Sequence, residues 1–140
     1  MSVDARSHRP PLARTVATAQ VALVVAFLTV AALWLGRMVS AGAGPAELRT
    51  GAYDPKDLVP FGMHGWNPFM WLYGLTALLY LAGLASPLLA GYGVVLLARD
   101  RRSLPRGLRV LLLAGVVAGA VVTVLRFTPL GADMQAWWMD

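Results

Sequence analysis

Residues 69–98 read FMWLYGLTALLYLAGLASPLLAGYGVVLLA, 30 consecutive positions without a charge. As an α-helix rising about 1.5 Å per residue this run measures about 45 Å, against a hydrocarbon core of about 30 Å. It must therefore tilt, bend or project beyond the lipid tails. Its start is marked by Asn67-Pro68, an amide suited to N-capping followed by proline at the first helical position, where a missing N–H costs nothing. Pro87 is the expected bend, because its ring removes one backbone bond and crowds the preceding turn. No polar turn interrupts the run, so it reads as one membrane span and not as two.

Two further spans lie on either side. Between Arg14 and Arg37 there are 22 residues without a charge, about 33 Å of helix. The competing reading is a cleavable signal peptide, with Arg6, Arg9 and Arg14 as its basic region and Ala41-Gly42-Ala43 as a small-x-small cleavage site. The apolar stretch exceeds the roughly 7–15 residues of a signal peptide core, which favours an uncleaved anchor. The other span covers residues 108–127, with Ser103 and Pro105 as starting signals. Only Val110 to Leu125 is charge-free there, and snorkelling of Arg109 and Arg126 to the two interfaces would lengthen it. Thr128-Pro129 and Gly131 end that helix. Met134, Trp137 and Trp138 then follow i, i+3, i+4 spacing, expected of a short segment lying on the membrane surface.

Composition agrees with the bilayer as solvent. Of 140 residues 58% are hydrophobic, only 14% are charged, and the mean hydropathy is +0.62. An ordinary soluble domain carries about 25% charged residues. The absence of cysteine excludes disulfides, thiolate metal sites, iron–sulfur centres and catalytic thiols. Arginine supplies every basic residue except Lys56, a bias that with the abundant alanine suits a GC-rich, bacterial coding sequence. The net charge of +5 does not point to nucleic acid, since the basic residues flank apolar runs instead of interleaving with aromatics.

Orientation follows from the basic residues. Arg6, Arg9 and Arg14 share one side with Arg99, Arg101, Arg102, Arg106 and Arg109, whereas Arg37, Arg49, Lys56 and Arg126 fall on the other. The expected organisation is a cytoplasmic tail (1–14), a first span (15–36), an extracytoplasmic loop (37–66) and a second span (67–98). A cytoplasmic arginine-rich loop (99–107), a third span (108–127) and an extracytoplasmic interfacial tail (128–140) complete it. All five tryptophans, Trp34, Trp66, Trp71, Trp137 and Trp138, then fall near the outer interface as anchors. The five arginines of the inner loop are expected to hold anionic headgroups.

Few residues suggest chemistry. Met63 and His64, with Asp54 and Asp57 close in sequence, combine types found in metal sites and in acid–base pairs. They form one adjacent pair without repetition, and Asp54-Pro55-Lys56-Asp57 is more simply a turn whose carboxylates cap backbone N–H groups. Tyr73, Thr76, Tyr80, Gly83 and Pro87 share one helix face, read either as a groove for an amphiphile or as helix packing with hydroxyls bonded to backbone. Gly115 and Gly119, with Ala114 and Ala118 beside them, form a GxxxG packing face. No span carries an ionisable residue at its centre, which argues against proton relays, ion paths and charge-coupled transport. Phosphate-binding loops, zinc-binding helices and nucleophile elbows are also missing.

The expectation is thus an all-α polytopic protein with three transmembrane helices, N-terminus in and C-terminus out, in the plasma or inner membrane. Its expected role is non-catalytic and cofactor-free: an accessory or assembly subunit packing with a larger membrane partner or with itself. The alternative is an enzyme or binding protein using the outer loop and the Tyr73/Tyr80 stripe for a metal or an amphiphile.

Overall fold

The structure is a computed structural model describing residues 9–139. Asp4, Arg6 and His8 of the basic tail and the terminal Asp140 lie outside the described residues. Regular structure among the described residues is entirely helical. The helices are α1 (Arg9–Ala41), α2 (Pro45–Leu48), α3 (Pro68–Ala82), α4 (Ser86–Asp100), α5 (Arg106–Arg126) and α6 (Pro129–Met139), with 3-10 turns at Pro55–Leu58 and Gly83–Ala85. Three segments are long and apolar enough to cross a membrane: Pro11–Ala41, Pro68–Asp100 and Arg106–Arg126. The chain is by that measure a multi-pass membrane protein.

The first helix is longer at both ends than its charge-free core of 15–36, because a helix need not stop where the lipid tails stop. Its end is chemically defined. Gly42 adopts φ 61°, the Ala43 N–H donates to Met38 O (3.1 Å) and the Gly42 N–H donates to Val39 O (3.4 Å). This paired closure with glycine in the left-handed region is the Schellman cap. The small residues Ala41-Gly42-Ala43 therefore have a structural role as a helix terminus.

The second span begins as its sequence implies, with the Asn67 side chain accepting from the Phe69 N–H (3.0 Å) and Pro68 at the helix start. Asn67 Nδ2 also donates to Gly62 O (2.8 Å), tying the loop to the helix. The break in the span falls at Gly83–Ala85, with Pro87 in the first turn of α4. A 3-10 turn advances about 120° per residue instead of about 100°, so the inward face shifts phase across it. Tyr80 and Gly83 face inward, but beyond the turn Ser86 takes the inner position and Pro87 is exposed.

The long elements are α1, α3 continued by α4, and α5, with the short α6 following α5. One core cluster joins Ala13, Val16 and Ala17 to Leu96, Leu104 and Leu112 at the arginine-rich end. The other gathers Phe27, Val30, Trp34, Tyr80, Val122, Met134, Trp137 and Trp138, and Leu48 of α2 closes it. The tail thus differs from a surface-lying segment. Its apolar face turns into the bundle after a bend that packs Gly131 against the end of α5, and the loop clamps it from outside. Arg49 pairs with Asp133 (2.7 Å) and Trp137 Nε1 donates to Tyr53 O (2.6 Å).

Candidate functional site

The clearest departure from the apolar interior is Arg126. Its sequence position at the end of α5 suggests snorkelling, but its side chain is buried. The α5 helix starts at the arginine-rich end and is 21 residues long, whereas Pro68–Asp100 spans 33. The end of α5 consequently lies opposite the middle of the α3–α4 rod, where Gly83–Ala85 interrupt it. The guanidinium turns inward.

Three elements receive it. Nη2 donates to Tyr80 O at the end of α3, where the C-terminal partial negative charge of a helix favours a cation. The guanidinium carbon lies 4.1 Å from the centre of the Tyr80 ring and 5.8 Å from that of Phe27 in α1, both within cation–π range. Gly83 makes the room, since a Cβ there would sit 2.8 Å from Nη2. Tyr80 also stacks near Phe27 (6.4 Å between centroids) and meets Trp138 (6.4 Å).

The cluster is rich in donors and poor in acceptors. Arg126 Nε and Nη1, the Tyr80 hydroxyl, Trp34 Nε1 and Trp138 Nε1 find no hydrogen-bond partner among the described residues. Such a set suits ordered water or an oxyanion, and it is the wrong polarity for a metal cation. An ionisable group so placed in a spanning bundle is a functional candidate by default. Arg126 ends its span and does not lie at its centre; the expectation that it snorkels outward is what its burial corrects.

A second polar group, Gln20, is also buried in the helix contact. Its Nε2 donates to Leu89 O (3.1 Å) of α4. A Cβ on Gly93 would sit 2.8 Å from Nε2, and one on Gly115 would collide with Oε1. Glycine on α4 and glycine on α5 thus form the niche for this amide. Gly119 meets α4 at Ala90 and Ser86, and the Ser86 hydroxyl lies 3.0 Å from that of Thr123. The GxxxG face therefore contacts α1 and α4 of the same chain. Ala118 is half-buried beside it, while Ala114 is exposed.

The remaining sequence candidates are dispersed. Tyr73 and Thr76 are half-buried, and the Thr76 hydroxyl donates to Leu72 O (2.9 Å) of its own helix. Asp54 accepts from the Lys56 N–H (2.8 Å), the turn-capping role. Asp57 and His64 are exposed and Met63 is half-buried, and no group of three or more potential metal ligands occurs among the described residues. Of the tryptophans, Trp34, Trp137 and Trp138 are core residues, whereas Trp66 is 94% exposed and Trp71 62% exposed. Anchoring at an interface is open only to that last pair, because the other rings fill the gap between α1, α3 and α6. Arg99, Arg101, Arg102 and Arg106 are exposed, with Arg109 half-buried.

No protein-family model, no curated protein and no solved structure matches the chain.

Proposed function

We propose that this protein is a non-catalytic membrane subunit that works by lateral association with a larger membrane partner or with a second copy, its arginine-rich end facing the cytoplasm. The observation that carries this reading is Phe61. Its backbone holds φ 64° and its ring is 90% exposed. A bulky residue in the left-handed region costs on the order of 1–3 kcal/mol and persists where the surroundings or a function require it. The Phe61 ring lies 6.3 Å from that of Phe69. Trp66 and Trp71 form a second pair at 6.2 Å, so four exposed aromatic side chains stand in two pairs around the start of α3. Aromatic residues concentrated in this way are the anchors of protein interfaces. The glycine faces are already occupied within the chain, which leaves this aromatic edge and the apolar flank below it for a partner.

Photoreactive residues placed at Leu75 and Phe61 test the reading against Val117 and Val121 on the outward face of α5. Protein adducts of one discrete mass from the α3 positions, with lipid adducts alone from α5, are expected. Lipid adducts alone from both faces would overturn it.

A further inference from the structure

We propose that the groove between α4 and α5 at the arginine-rich end binds one anionic phospholipid. The proposal rests on membrane residence and is independent of any protein partner. The two helices meet where Gly93 faces Val116, at a distance only glycine permits. From Val116 toward the connecting turn they enclose a groove of about 700 Å³, within the range of about 300–1,000 Å³ typical of small-molecule sites. Its walls are apolar, with Val94 and Leu97 from α4 and Val110 and Leu113 from α5, and Arg101, Arg106 and Arg109 line it as well.

The arginines make the groove more than a stretch of lipid-facing surface. An acyl chain satisfies the walls, and three guanidinium groups at the arginine-rich end favour an anionic oxygen group. Arg109 Nε is buried and has no hydrogen-bond partner among the described residues. The α5 helix begins at this mouth with no side chain capping its first N–H groups, so its positive end also favours a phosphate. A phospholipid with a net negative headgroup matches both parts at once. Arg99 and Arg102, although in the same loop, do not line the groove. A diffuse electrostatic attraction would use all five arginines alike, whereas the groove uses three.

The test is native mass spectrometry of the full chain, taken from vesicles of mixed phosphatidylglycerol and phosphatidylcholine into mild detergent. The wild type should retain one phosphatidylglycerol in preference to phosphatidylcholine. Arg106→Gln with Arg109→Gln should lower that retention by about tenfold or more, while Arg99→Gln with Arg102→Gln, the same change in charge outside the groove, should leave it within about twofold. Leu113→Trp fills the groove without altering charge and should abolish the adduct, which keeps the test decisive if the arginine pair fails to fold. Equal losses from the two arginine pairs, retention by Leu113→Trp, or equal retention of both lipids would overturn the proposal.

Discussion

Glycine and glutamine decide the helix contact between them. Introducing Ala at Gly115 puts a methyl group onto the Gln20 amide and within 3.0 Å of its Cβ. Overpacking of this kind costs about 1–3 kcal/mol. If the amide is the obstacle, Gln20→Ala should relieve it, and the double variant should be less destabilised than the sum of the singles by about 1–2 kcal/mol. Unfolding of the four proteins in detergent measures this coupling, and strict additivity would show that the niche does not exist. Arg126 presents the opposite case. Removing a buried ion that has no charged partner relieves its desolvation cost, which offsets the loss of its contacts with Tyr80 and Phe27. Tyr80 O keeps the Gly83 N–H as a donor, so Arg126→Met orphans no carbonyl. The variant should therefore unfold no earlier than the wild type, as expected if the guanidinium is kept for what it binds. A loss above about 2 kcal/mol would make it a structural keystone instead. Neither residue is conspicuous in the sequence. Gln20 lies in a long charge-free run whose polar members elsewhere bond their own helix, as Thr29 does to Val25 O. Arg126 at a helix end has two opposite solutions, outward or inward, and only the small residue at Gly83 together with the length of the neighbouring rod selects one.

At the scale of elements, the spans are legible because long charge-free runs have no other stable solution in lipid. The N-cap at Asn67 and the interruption near Pro87 are equally local signals. The destination of the tail is not local. The i, i+3, i+4 pattern of Met134, Trp137 and Trp138 defines an apolar face, but lipid and a helical bundle are equally good partners for such a face. What decides is the early end of α5, which leaves a vacancy beside the second half of α1, and Gly131, where any Cβ would collide with Leu125 O. Trp137 then links tail to loop. Trp137→Phe keeps the ring in the core but removes the bond to Tyr53 O, at a cost of about 0.5–1.5 kcal/mol. Hydrogen exchange around Tyr53 should accelerate in that variant while α1 stays protected. Unchanged exchange would mean that the Arg49–Asp133 pair alone holds the loop. Around Met63 and His64 the sequence favours a plain turn over a metal site, since residues adjacent in a loop need not converge on one ion, and Asp54 takes the turn-capping role.

For the whole molecule, the distribution of charge from which the orientation is expected also divides the bundle into two ends. The arginine-rich end has the small apolar cluster of α1, α4 and α5 and the groove between the last two. The opposite end is aromatic, with α3, α6 and the long loop packed on the second half of α1. If all three apolar segments cross the membrane, the two ends face opposite sides and α6 falls on the same side as the loop, in agreement with the Arg49–Asp133 contact. Because the chain contains no cysteine, single thiols report sidedness without background. Ala52→Cys, Ser103→Cys and Ala136→Cys, all at exposed positions, should be treated in intact cells with a membrane-impermeant thiol reagent. Labelling of positions 52 and 136 from outside, with position 103 reacting only after permeabilisation, is the result expected of three spans with the arginine-rich end inside. Labelling of position 136 only together with position 103 would contradict it.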